Sequence, residues 1–459
     1  MLALAAGYRL YSLALRTVYP NPISFNEGWN AYYATAASEG AKLYGAQPTL
    51  TAVNYPPLSF HLVGLAGRFL HDPNFAGRLI SLLSLAWVAA CVAVIVRKMV
   101  HRRFHALLAA LFCLAWFSLF AGANVGANEP QLLGHAVIMA GVVLYVLCQD
   151  SLALLLAAGL LCVVGGFVKH NLFSFPVGIG LHLFFRSKAR FATWAAFVSA
   201  LLFAGLVLTS WIDGGYFLQH LTNPRRFGWG RIPTVSGFFL AAFLPTLMLC
   251  ILGHRRIAAL PYGGVAWSAL VVCLVPGIFF TGGAGVSVNV FFDAIIAMSI
   301  MAAILLSEFH GRASAHSPPT AVLITLAPIL ISAGPLVYGY FGWIPSRTNL
   351  ESAAQQYAGD VAYMRSKPGA AICLNLLLCY DSGKPLIFDP YSTNERLETG
   401  VLSPETFAAK IKNQEYGVVE LGSEPYSGAY FPDPLVAILP SYYRIERTSG
   451  TRIFYVPKR

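Results

Sequence analysis

The chain has 459 residues, of which 57% are hydrophobic and 11% charged, with a mean hydropathy of +0.62 and a formal net charge of +11. A soluble domain carries about 25% charged residues, so this composition excludes an ordinary soluble protein and describes a polytopic membrane protein. The basic excess belongs to residues 1–342, with 19 Lys and Arg against 8 Asp and Glu, whereas 343–459 hold 12 of each; with no aromatic-basic binding module, topology and phosphate handling explain it better than nucleic acid does.

A short apolar run at 2–19 opens the chain; Arg9 interrupts it and no basic n-region precedes it, so it reads as a retained helix, or as one truncated by a late start codon, rather than a cleaved signal. Runs long enough to span, at about 20 residues each, follow near 77–97, 104–122, 131–148, 151–168, 172–186, 191–211, 236–253, 257–281, 289–307 and 319–341. The expectation is a mainly α membrane domain over 1–342 with about eleven transmembrane helices. Lys and Arg favour cytoplasmic loops. Arg97, Lys98, Arg102, Arg103, Arg186, Lys188, Arg190, Arg255, Arg256 and Arg312 then mark the inner side, although the loop at Gln149–Asp150 has no basic residue. Loops 20–76, 123–130, 212–235 and 282–288, and everything after the last span, fall outside. Arg225, Arg226 and Arg231 break the charge rule there, which marks them as functional candidates.

Loop 20–76 is long and aromatic. Its Tyr55–Pro56–Pro57 breaks the chain before Leu58–Leu70, an amphipathic stretch too short to span and expected to lie at the interface. After Trp343 the pattern becomes that of a small soluble α/β domain, 343–459. Asn349–Lys367 reads as a helix, Ala371–Leu374 and Pro385–Phe388 as strands around a turn at Asp381–Gly383, Ser403 as a helix start, Gly417–Leu421 as a strand and Tyr442–Arg447 with Arg452–Val456 as a hairpin. With no nucleotide fingerprint and no metal-ligand spacing, its expected role is to cover or shape a site on the outer face. Six of the 8 cysteines fall in or beside spans. Cys373 and Cys379 could be bridged in an oxidising compartment, but a separation of six does not decide it.

In a region so poor in acids, each carboxylate is a candidate for chemistry or for a buried pair. Loop parity puts Glu27, Glu129, Lys169–His170–Asn171, Asn289 and Asp293 at one level, with Asn289 and Asp293 four apart on one helix face. A carboxylate to accept a proton, a cation to hold phosphate and a wall of aromatics suit transfer from an anionic lipid-linked donor. Plainer readings stand beside these. Glu27 could favour the N-terminus of the helix after it, Glu129 before Pro130 could mark a helix start and Lys169 could snorkel. His170 could be an interface residue, Asp293 could pair with an Arg or Lys across the bundle, and Arg225–Arg226 could be a solvated turn.

NEGWNAYYA after the first span, YPPLSFHL, the acidic residue of the next outer loop, FVKHN before a Pro-containing helix, and GVSVNVFFD in a late span occur in that order. So arranged, the sequence resembles the integral-membrane glycosyltransferases related to protein O-mannosyltransferases and aminoarabinose lipid A transferases, closest to the bacterial family 39-like branch. The resemblance covers most of the chain and extends to GKPLIFDPYSTNERLETG. It implies a donor sugar on a polyprenyl phosphate, a glycan, lipid or protein acceptor, and a bacterial inner membrane with the C-terminal domain periplasmic. It also implies displacement with inversion.

The acidic pair of the family's first outer loop is here Asn26–Glu27, so Glu27 is expected to be the general base, or Asn26 marks a changed or lost activity. Glu129 matches the second acidic position and Lys169 the basic residue near the donor phosphate, helped by Arg225 or Arg226. Asn26, Asn30, Tyr55, His61, His170, Asn171, Asn289 and Asp293 complete the expected substrate contacts. The scheme needs no metal or other cofactor. Two alternatives of different class remain: a lipid-linked-sugar transporter, or a non-catalytic relative that binds polyprenyl phosphate.

Overall fold

Continuous apolar sequence with few charges forms helices whose backbone groups are satisfied internally, the solution a bilayer imposes. In the computed structural model, which describes residues 1–46, 49–148, 150–313, 326–341, 346–422 and 433–458, helices account for most of the chain. Among the described residues, seven helical segments are long and apolar enough to cross a membrane: Pro73–Val100 (α4), Arg103–Phe120 (α5), Pro130–Leu147 (α6), Lys188–Ile212 (α9), Arg231–Ala259 (α11), Gly263–Phe280 (α12) and Val288–His310. The last comprises a short 3₁₀ turn, Val288–Phe291, running into α13 (Phe292–Ala313). Shorter helices at Leu2–Arg16 (α1), Leu152–Val168 (α7) and Ser174–Arg186 (α8) match further expected spans, and a single turn, Phe217–Leu221 (α10), follows α9. Part of the expected span 319–341, Gln149 and the domain boundary at Trp343 lie outside the described residues.

Core position follows composition. Ala294, Ile295, Met298, Met301 and Ile304 of α13 are fully buried at the centre of the bundle, whereas α9 buries only Trp194 and Thr209. Loop 20–76 carries two helices, Glu27–Ser38 (α2) and the expected Leu58–Leu70 (α3). Asp72 and Pro73 then start α4, the Asp72 carboxylate accepting from Phe75 N–H at 3.0 Å.

Beyond the bundle, helix Arg347–Ser366 packs on a four-stranded sheet of order β1-β2-β4-β3: Ala370–Cys373 (β1), Tyr416–Gly422 (β2), Tyr443–Ser449 (β3) and Arg452–Pro457 (β4). β1 and β2 are parallel, and β4 runs antiparallel to both β2 and β3. Pro385–Phe388 is not a strand: the segment leaves the sheet, and the Asp389 N–H that follows donates to Leu50 O of loop 20–76 at 3.1 Å. Cys373 and Cys379 form a disulfide that ties the end of β1 to helix Leu376–Asp381. That helix lies on α2, so closely that a Cβ on Gly28 would sit 2.0 Å from Leu377 N.

Candidate functional site

The end of the bundle that holds loop 20–76 also receives the C-terminal domain. A cavity of about 230 Å³ lies between them, lined by Phe25, Asn26 and Trp29 at the start of α2, by Asn54 and Tyr55, by Arg225, by Gly285 and Ser287, and by Asp389, Tyr391 and Ser392. Each wall is pinned by hydrogen bonds to another. Trp29 Nε1 donates to Ala52 O at 3.2 Å, and its ring meets Tyr55 edge-on at 4.9 Å between centroids. Tyr391 Oη donates to Ala284 O at 2.8 Å, and Thr393 Oγ1 to Leu50 O at 2.8 Å. Five separate stretches of chain thus build one polar and aromatic chamber.

Lys169 follows the last residue of α7 and is buried, with its Nζ 3.0 Å from the centroid of the Tyr55 ring. An ammonium over an aromatic face gains cation–π energy, but no carboxylate among the described residues comes within ion-pair distance of it. Burial pulls this ammonium well below its ordinary pKa, the Glu129 carboxylate opposes that shift and Arg225 adds to it. An incoming anion would favour the charged form.

Glu129 stands at the N-cap of α6 without capping it. Its Oε1 accepts from Ser24 Oγ at 2.5 Å and Asn26 Nδ2 at 3.2 Å, and its Oε2 from Asn124 Nδ2 at 2.9 Å. The helix-start reading is right about position, while the side chain is turned to hold Asn26 on the cavity wall.

Glu27 corrects the expectation of a general base. Its side chain is fully buried, and Arg78 grips it from α4, Nε to Oε1 and Nη2 to Oε2, both at 2.7 Å. Ile23 N–H donates to Oε2 at 2.7 Å and Asn128 N–H to Oε1 at 3.1 Å. A carboxylate so engaged and absent from the cavity wall is not placed to take a proton from an acceptor; it fastens α2, α4 and the loop before α6 together.

Other expected contacts also prove to be ties. Asn30 is buried, and its Nδ2 donates to Asn26 O and Asn128 O at 3.0 and 2.8 Å. Arg226 is bound to the C-terminal domain, Nη2 to Glu395 Oε1 at 2.8 Å, so it docks that domain rather than facing a donor. His61 Nε2 lies 2.7 Å from Asp213 Oδ1 at a separate apolar groove between α3, α7 and α9. Asp293 is buried 3.0 Å from His135 Nε2, so its partner across the bundle is a histidine and not the Arg or Lys expected. Asn289 belongs to the 3₁₀ turn before α13 rather than to one helix face with Asp293; its Oδ1 accepts from Ser287 Oγ at 3.0 Å. His170 is exposed, Asn171 is half-buried, and neither lines the cavity. Of the expected site residues, Asn26, Tyr55 and Arg225 line it, with Glu129 and Lys169 against its walls.

Residue-type reasoning missed Arg78, Asp389 and Tyr391. Arg78 carried a signal, a lone arginine at the outer start of a span in a region where a buried carboxylate needs a cation. Asp389 carried a weaker one: Asp-Pro reads as a helix start, which it is, its carboxylate accepting from Ser392 N–H at 3.4 Å. Nothing local says that this cap also faces a cavity in another domain.

No protein-family profile matches the chain, and no curated protein matches it in sequence. Solved structures do match. ArnT from Cupriavidus metallidurans bound to undecaprenyl phosphate superimposes with a TM-score of 0.65 at 12% identity, covering 98% of this chain and 97% of that one. The chain has the ArnT fold. The apo form of ArnT gives 0.63 at 13% identity with the same coverage. The Archaeoglobus fulgidus oligosaccharyltransferase in its apo form gives 0.54 at 11%, covering all of this chain and 74% of the other. At the level of fold, the resemblance read from five ordered motifs holds over almost the whole length, and the ArnT fold includes the C-terminal domain that closes the cavity.

Proposed function

We propose that this chain is an integral-membrane glycosyltransferase that moves a sugar from a polyprenyl phosphate to a cell-envelope acceptor, with inversion. The observation that carries this reading is the buried Lys169 ammonium, held over the ring of the cavity-lining Tyr55 with no carboxylate among the described residues paired to it. A desolvated cation of that kind is stabilised by a bound anion. The ArnT fold, seen elsewhere with undecaprenyl phosphate bound, supports a lipid phosphate as that anion.

Lys169 and the cavity-facing Arg225 would hold the donor phosphate and stabilise the charge that develops on it as the bond to the sugar breaks. A phosphate leaves without being protonated, so no acid is required. Trp29, Tyr55 and Tyr391 offer amphipathic faces for a sugar ring, whether hexose or pentose. The Cys373–Cys379 disulfide supports an oxidising compartment for the C-terminal domain, in keeping with the periplasmic face of a bacterial inner membrane.

The test is binding of undecaprenyl phosphate to the purified full chain, beside transfer of radiolabel from undecaprenyl-phosphate sugars by membranes that contain it. Lys169→Ala is expected to weaken binding by about 10- to 100-fold, the worth of one charge-assisted contact, and to reduce transfer. Equal affinity in wild type and variant would remove the donor site from this cavity.

A further inference from the structure

With Glu27 locked to Arg78 and an amide at position 26, the first outer loop offers no free carboxylate to the cavity. An amide does not take up a proton at neutral pH, so the acceptor hydroxyl needs a base from elsewhere. Among the described residues that line the cavity, Asp389 is the one carboxylate. It enters from the opposite side, at the head of helix Pro390–Glu398 in the C-terminal domain.

We infer that Asp389 is the general base of the transfer, so that the C-terminal domain supplies a catalytic group that the first outer loop does not. This rests on the polyprenyl-phosphate donor reading. The Asp389 side chain is oriented by its neighbour: Ser392 Oγ donates to Oδ2 and Ser392 N–H to Oδ1. Each carboxylate oxygen has a second lone pair, so capping does not exhaust the group. Its backbone is held in place, since its own N–H donates to Leu50 O and the Thr393 hydroxyl, one turn on, donates to the same oxygen.

Glu129 is the competing carboxylate. It is absent from the cavity lining and already accepts from Ser24, Asn26 and Asn124. Its place behind Asn26 suits holding that amide and balancing Lys169.

In the proposed step the acceptor oxygen forms a bond to the anomeric carbon, and the bond from that carbon to the phosphate oxygen breaks with its electron pair staying on the phosphate. The hydroxyl proton passes to Asp389, which returns it to solvent. The products are the glycosylated acceptor and the free lipid phosphate. Burial lifts the Asp389 carboxyl to about 6, against the hydrogen bonds from Ser392 and Tyr391 N–H and the Arg396 guanidinium. A base of that strength is ionised at neutral pH and accepts a proton more readily than an exposed carboxylate. The other titratable or charged groups around it are Tyr33 of α2, Tyr391 on its own helix and Arg225 across the cavity. With the carboxylate as the active form, transfer is lost as pH falls through about 6.

The decisive experiment compares wild type, Asp389→Asn, and Asp389→Asn combined with Asn26→Asp, all as full chains in membranes. Radiolabel transfer from undecaprenyl-phosphate sugars is measured beside undecaprenyl phosphate binding. Asp389→Asn is expected to lose transfer by about 10²- to 10⁴-fold, the usual worth of a general base, while still binding the lipid phosphate. Asn26→Asp, which returns a carboxylate to the facing wall, is expected to restore part of the transfer. Transfer by Asp389→Asn at the wild-type rate would overturn the assignment, as would loss that Asn26→Asp does not relieve in a variant that binds normally. A wild-type chain that binds the lipid phosphate but transfers from no donor would overturn the glycosyltransferase reading itself, a result distinct from either.

Discussion

Glu27 and Asp389 are both buried carboxylates at the same end of the bundle, and their surroundings give them opposite work. Around Glu27, Arg78 supplies a bidentate partner and two backbone N–H groups finish the coordination, so the charge is neutralised in place. Around Asp389 there are a hydroxyl, the Ser392 and Tyr391 N–H groups and a cavity, with Arg396 acting only from a distance and no cation among the described residues within ion-pair reach. A buried carboxylate with its cation is a fastening; one without it keeps its affinity for a proton. Rarity in the sequence singles out Glu27, in the acid-poor membrane region, but not Asp389, which lies among the 12 acids of 343–459, and it says nothing of either partner.

The largest expected effect comes from breaking the fastened pair. Arg78→Ala leaves the Glu27 charge buried and uncompensated, which costs about 3–5 kcal/mol; its Nη1 and Nη2 bonds to the Tyr19 and Asn21 carbonyls go with it. The full chain in detergent should melt well below wild type or fail to accumulate. Glu27→Gln combined with Arg78→Met should recover much of that loss, because neutralising Glu27 removes the need for a counter-charge. If the Arg78 variant instead melts normally but stops transferring sugar, Glu27 belongs with the chemistry and the contrast with Asp389 collapses.

A smaller loss is expected where the two sides of the cavity meet. Gly28, one residue beyond Glu27, touches the backbone of Leu376 and Leu377 inside the disulfide loop, with a Cβ position 2.2 Å from Leu376 C and 2.0 Å from Leu377 N. Backbone cannot give way as a side chain does, so Gly28→Ala must push α2 away from the C-terminal domain. Overpacking of this kind costs about 1–3 kcal/mol. It should also widen the gap between Asn26 and Asp389, so transfer should fall further than undecaprenyl phosphate binding. Equal losses of both would mean that Asp389 acts through the donor site rather than on the acceptor.

The sequence made the membrane domain legible because hydrophobic length is a local property: the helices at 73–100, 103–120, 130–147 and 188–212 lie within a few residues of the expected spans. The C-terminal hairpin and the helices Arg347–Ser366 and Pro404–Lys412 were legible for the same reason, through caps and alternation, whereas the helices Leu376–Asp381, Pro390–Glu398 and Asp433–Tyr442 were not read. Pro385–Phe388 failed because an extended apolar run also suits a connector tied to another domain, here through Leu50. Within the site, Lys169 and Tyr55 could be named, since a cation and an aromatic at the outer level are rare enough to stand out. Their 3.0 Å meeting could not. Asn26 and Asp389 are more than 350 positions apart in the chain, and no periodicity or spacing rule reports that two loops close on one cavity. Partner choice is the property least visible in one sequence: Glu27 and Arg78, Asp293 and His135, and Arg226 and Glu395 are all long-range pairs.

A third carboxylate offers the finest test of the rule that the partner decides. Glu420 of β2 is buried, with Oε2 accepting Asn375 N–H at 3.2 Å, and burial pushes its carboxyl up to about 7, with Arg452 opposing from a distance. Its folded pKa lies above the unfolded value of about 4.3, so the folded chain binds a proton that the unfolded chain has released. Stability from this group is therefore greatest below the unfolded pKa and declines as pH rises through about 7. Asp381, pushed up to about 6, adds the same sign over a lower range. Neighbouring Asp360 is held by Arg447 and Arg452, each at 2.7 Å, and so is the paired counterpart within the same domain. Melting of the full chain in detergent between pH 5 and 8 should show the C-terminal domain losing stability toward alkaline pH, with a slope of about 1 kcal/mol per pH unit at its steepest. Glu420→Gln, which keeps an acceptor for Asn375 but cannot ionise, should flatten that slope and raise the melting temperature at pH 8. An unchanged slope would show that an uncompensated buried carboxylate need not behave differently from a paired one, and would weaken the case for Asp389 as well.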